Sequence, residues 1–143
     1  MENLSAKDLR IGNYLYFDNE VNEVEEIEMI CNSEWVGEGK KWWLETTNLE
    51  GELLINFKPI SLTEEWLEKL GFNCKYKSVN NNWDIGSFHV SQTSDVDDDN
   101  NRIEQKEEFF YDYYLELKYV HQLQNLYFAL TNEELTIKTT KNN

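Results

Sequence analysis

An α+β fold follows from three features of the chain. Short β-favouring runs are separated by glycine, asparagine and aspartate turns, two segments carry helical spacing, and a single proline interrupts 143 residues. The runs over residues 13–57 predict a small antiparallel, barrel-like sheet of four or five short strands. A short helix over 63–70 comes next, then a three-stranded antiparallel sheet packed by a C-terminal helix over 119–130. The length suits one domain, with a β subdomain at 1–60, an α+β subdomain at 61–138 and a frayed tail at 139–143.

The elements follow in order. Tyr14-Leu15-Tyr16-Phe17 is a strand, and Asp18-Asn19 supplies a turn. Val21 to Ile30 alternates imperfectly, as in a twisted, half-exposed strand whose glutamates face water. Gly37-Glu38-Gly39-Lys40 predicts a hairpin turn between Glu34-Trp35-Val36 and Lys41 to Thr46, because glycine accepts the positive φ of tight turns. Glu52 to Phe57 closes the first sheet. Thr63 caps a helix whose first turn holds Glu64 and Glu65, both favourable to its dipole. Phe72 to Val79 and Trp83 to Gln92 form a hairpin through Asn80-Asn81-Asn82, and Thr93 to Glu108 reads as an acidic loop. The aromatic run Phe109 to Leu117 forms a third strand. Tyr119, Val120, Leu123, Leu126, Tyr127 and Leu130 recur at steps of three and four, the mark of a helix with one buried face. That face is expected on the second sheet, with Asn132 as its left-handed cap.

Charge is the strongest compositional signal. The formal net charge is −15, and two stretches carry the excess: eleven acids against two bases over 18–52, and nine against two over 95–116. Such a field repels phosphate backbones, so direct nucleic-acid binding is disfavoured and a basic protein partner is favoured. No run of apolar residues reaches the length of a membrane span and the first residues lack a targeting pattern, so no membrane partner is expected. Cys31 and Cys74 stand alone, as in a reduced cytoplasmic protein.

Motifs that would carry chemistry fail on inspection. Asp95, Asp97 and Asp99 occupy alternate positions of a calcium loop, yet Asn100 stands where glycine is needed and Lys106 where the bidentate glutamate belongs. His89 and His121 have no second ligand at zinc spacing, and no serine or cysteine elbow is present. Neither catalytic residues, metal nor cofactor is expected. Trp35, Trp42 and Trp43 are assigned mainly to the core.

Three segments, Leu9-Arg10-Ile11-Gly12-Asn13-Tyr14, Leu62 to Phe72, and Tyr119-Val120-His121-Gln122-Leu123-Gln124-Asn125-Leu126-Tyr127-Phe128-Ala129-Leu130-Thr131, resemble small phage- and prophage-encoded proteins of uncharacterised function. The resemblance implies a viral accessory role in the bacterial host cytoplasm and supplies no activity.

Acidity and resemblance together lead to a non-enzymatic protein that binds a basic host partner. Foremost is an inhibitor of a defence nuclease such as a CRISPR effector, acting as an anti-CRISPR or nucleic-acid mimic. The binding residues expected on this reading are Glu20, Glu23, Glu25, Glu26 and Glu28 in one stretch and Asp95, Asp97, Asp98, Asp99 and Glu104 in the other. The alternatives are a virion structural or packaging component, and an acidic surface that serves solubility without mimicry.

Overall fold

The computed structural model describes residues 4–33, 37–74, 81–96, 102–112 and 114–138, with side chains omitted at 31–33, 37–38, 40, 94–96 and 102–107. The chain is α+β and divides into two compact units, one of residues 1–60 and 119–134, the other of residues 61–118 and 135–143.

The first unit is a curled antiparallel sheet in the order β1 (Tyr14–Phe17), β2 (Glu20–Ser33), β3 (Gly37–Thr46), β4 (Glu52–Leu53). Asp18 and Asn19, at φ 51° and 65°, form the two-residue turn that joins Phe17 to its partner Glu20. Beyond β4 the chain returns to β1, where Tyr16 and Lys58 exchange backbone hydrogen bonds of 2.9 Å each way. Leu9, Leu15, Val24, Leu44, Leu54 and Phe57 form the core of this unit. Burying each aliphatic side chain among them contributes about 2 kcal/mol.

The expected hairpin turn at Gly37-Glu38-Gly39-Lys40 is corrected. Those residues belong to β3, where Lys40 pairs with Cys31 and Gly37 with Ser33, and the connection falls at 34–36, outside the described residues together with Trp35. Trp42 is 39% exposed and Trp43 is half-buried, so neither is the core residue expected. Trp43 covers the turn before β4. A Cβ at Gly51 would stand 2.2 Å from its indole nitrogen, so the backbone there must pass directly beneath the ring.

The imperfect alternation of β2 has a structural cause. Val24 pairs with Thr46 and Glu26 with Glu45, which leaves Glu25 as an extra residue in a β-bulge. Asn22 and Val24 are buried before the bulge. After it the inward positions become Ile27 and Met29, opposite Leu44 and Trp42, while Glu26 and Glu28 move to the outer face.

Helix α2 (Val120–Thr131) matches the expected span, and Asn132 ends it at φ 62°. Its packing differs from expectation, because the polar residues on its inner face bond to the first unit. Gln124 accepts from the Tyr14 backbone N–H at 2.9 Å and donates to the Gly12 carbonyl at 2.9 Å. Asn125 donates to the Asp8 carbonyl and accepts from Asn13. The face was expected on the second sheet, whereas these amides tie the helix to residues 8–14.

Among its described residues the second unit holds five strands instead of three, in the order β5 (Asn73–Cys74), β6 (Asn81–Ile85), β7 (Phe88–Val96), β8 (Arg102–Tyr111), β9 (Leu115–Glu116), and the expected strand Phe72 to Val79 lies outside the described residues from 75 onward. The expected strand from Trp83 to Gln92 is broken by a two-residue turn at Gly86-Ser87, with Gly86 at φ 58° and Ile85 paired to Phe88. Asn81 and Asn82, expected in a turn, pair inside β6 with Gln92 and Ser91. The expected loop over 93–108 is also corrected, because Thr93 pairs with Glu108, Asp95 with Ile103 and Val96 with Arg102 in a β7–β8 hairpin. The third expected strand, 109–117, turns back at Asp112 (φ 54°), after which Leu115 pairs with Tyr111.

Helix α1 (Glu64–Lys69) starts as expected, with the Thr63 hydroxyl accepting from the Trp66 backbone N–H at 3.2 Å. The buried Gln92 accepts from Trp83 Nε1 at 2.7 Å and from Asn81 Nδ2 at 3.1 Å, and donates to Glu64 at 2.7 Å. Leu135 is fully buried in this unit, and the Lys138 backbone N–H donates to the Lys69 carbonyl. The tail 139–143 lies outside the described residues.

Candidate functional site: an acidic face on the first sheet

Past the bulge, the outer face of β2 and β3 gathers Glu26, Glu28 and Glu45, whose carboxylate oxygens lie within 4.8 Å of one another. Glu26 and Glu45 are direct cross-strand neighbours, and Glu28 stands opposite Trp43. Like charges paired in this way disfavour the sheet locally. The effect appears at Glu45, whose carboxyl is pushed above the ordinary glutamate value. Its hydrogen bond with Glu26 is the largest cause, followed by the Glu26 charge, partial burial, and the charges of Glu28 and Glu25. Among the described residues no lysine or arginine is a cause of this shift.

The folded chain therefore holds this proton more tightly than the unfolded chain does. The group favours the fold at acid pH, and that contribution is lost as pH rises through its raised value.

The expected site residues separate into three groups. Glu26 and Glu28 are brought together, with the exposed Glu25 at the bulge beside them. Glu20 is exposed at the start of β2 and Glu23 is half-buried opposite Tyr14, both on the part of the strand that β1 covers. None of the five takes part in an ion pair among the described residues, where the pairs are Arg10–Glu134, Lys69–Glu65 and His89–Asp84. In the other stretch, the backbone of Asp95 lies in β7 and that of Glu104 in β8. Asp97, Asp98 and Asp99 fall outside the described residues. Asp95 in a paired strand cannot open the calcium loop that its spacing suggested, since that motif needs its first ligand in a tight turn.

Glu45 is the member of the cluster that sequence reasoning missed. Placing the turn at 37–40 gave the wrong cross-strand register, and only the true one sets Glu45 against Glu26. Three exposed or half-buried carboxylates at this spacing are open to solvent, and any hard cation would be held weakly there.

Elsewhere the histidines have separate fates. His121 is buried on α2, where loss of solvation lowers its pKa against the opposing pull of Asp8. His89, exposed on the second sheet, pairs through Nδ1 with Asp84 beside a shallow depression that Ser91 and Tyr111 also line. The Ser91 hydroxyl donates to Asn82 at 3.5 Å rather than to the imidazole, so no activated nucleophile results.

Among the described residues no helix is long and apolar enough to cross a membrane. No family model, curated protein or solved structure matches the chain.

Proposed function

We propose that the chain is a phage-encoded accessory protein that works by binding, setting the carboxylates of β2 and β3 against a basic groove of a host defence nuclease. A CRISPR effector, whose channel is lined with cations that hold nucleic acid, is the fitting class of partner. The protein occupies the groove in place of phosphates and needs no chemistry of its own. The observation that carries this reading is the Glu26–Glu28–Glu45 cluster, which has no cation acting on Glu45 among the described residues. Acids left uncompensated project a field outward, and such a field speeds encounter with a basic surface and weakens with salt. The resemblance of three segments to phage proteins supplies the setting.

The test is inhibition of RNA-guided cleavage, together with the association rate to the purified effector, at low and high salt. A variant with Glu26, Glu28 and Glu45 changed to glutamine, and a second with Asp95, Asp97, Asp98 and Asp99 changed to asparagine, separate the two acidic stretches. The first variant is expected to slow association about tenfold or more at low salt, with the difference shrinking as salt rises. Unchanged association in both variants overturns the reading.

A further inference from the structure

β2 is longer than its neighbour. β1 pairs only with Glu20 to Glu23, and Val24 bonds back to residues 12 and 13. From Glu25 to Ser33 that edge of β2 has no backbone partner among the described residues, while its other edge remains paired to β3. An open edge offers a row of donors and acceptors that another extended chain can complete.

The two faces beside this edge differ in chemistry. On the inner face, Met29 is 46% exposed and its cross-strand partner Trp42 is 39% exposed, although both continue the row that begins at the buried Leu44. Tryptophan and methionine left open in this way are residues that interfaces favour. On the outer face stand Glu26 and Glu28, with Glu45 behind them.

We propose that β2 accepts an added strand along residues 25–33, and that the strand it takes alternates basic with apolar residues. Strand addition fixes which side chains meet, because neighbours across a ladder share a face. Lysines or arginines of the incoming strand lie over Glu26 and Glu28, and apolar residues between them lie over Ile27 and Met29 and reach Trp42. The same charges exclude a second copy of this chain, since antiparallel pairing of β2 with itself about this segment sets glutamate against glutamate. The occupant is thus a basic segment of a different protein. The proposal rests on the acidic-face reading and specifies the kind of segment that face receives.

Three peptides matched in length to residues 25–31 test it: one alternating lysine and valine, one with the same residues in two blocks, and one alternating but N-methylated at every amide. The alternating peptide is expected to bind about tenfold or more tightly than either control and to slow hydrogen exchange of those backbone amides over 25–31 that point to the open edge. Trp42→Ser, at an exposed position, is expected to weaken the alternating peptide and leave the block peptide unchanged. If all three bind alike and salt displaces them equally, charge alone governs the face: strand addition is overturned while the acidic reading stands. If none binds, both readings fall.

Discussion

Replacing Gln124 with leucine is expected to cost about 2–4 kcal/mol of stability, although the new side chain is apolar and of similar volume. The carboxamide joins α2 to the start of β1 through the Tyr14 N–H, the Gly12 carbonyl and, at 3.4 Å, Asn13 Nδ2. Leucine supplies neither the acceptor nor the donor, and the site is 1% exposed, so water cannot replace them. Urea unfolding measures the effect as a lower midpoint with an unchanged slope. A loss below about 1 kcal/mol would mean that apolar packing alone seats the helix.

The second large effect is expected at Gln92. It is also 1% exposed, and its single side-chain oxygen serves both Trp83 Nε1 and Asn81 Nδ2 while its nitrogen reaches Glu64. Gln92→Leu removes the acceptor of a buried indole N–H and the donor to a carboxylate, at an expected cost of about 2–4 kcal/mol. Urea unfolding followed by circular dichroism measures the loss, because five tryptophans share the fluorescence signal. Gln92→Glu separates the two roles: it keeps the acceptor but places a second carboxylate beside Glu64, so its loss should grow as pH rises through the carboxylate range. A Gln92→Leu variant as stable as the parent would contradict the role given to this network.

Local signals in the sequence were legible where one residue type decides the backbone. Asp18-Asn19 made its turn, Thr63 capped α1, and the spacing from Val120 to Leu130 made α2. Gly86-Ser87 between Ile85 and Phe88 was an equally good hairpin signal. It was hidden inside a run of strand-favouring residues, while the asparagine triplet beside it drew the turn to the wrong place. The stretch 93–108 lacks apolar periodicity, yet cross-strand hydrogen bonding carries it as strand through Val96 and again from Arg102. Pairing with a neighbour overrides weak propensity there.

The acidic face was half legible. Composition placed the charge in β2, but which glutamates share a face depends on the bulge at Glu25 and on the register with β3. Both are set by where a distant strand lies. Glu45 belongs to the site for that reason alone, and no local pattern marks it.

The proposed binding depends on carboxylates that have no ion-pair partner among the described residues. The direct measurement is a side-chain titration of Glu45 followed by carbon-detected NMR, in the parent and in Glu26→Gln. Glu45 is expected to titrate above the ordinary glutamate value in the parent and to fall back toward it when Glu26 loses its charge, with thermal stability at neutral pH rising in the same variant. A Glu45 that titrates at or below the ordinary value in the parent would show a neutralised surface, and the proposed partner would lose its basis.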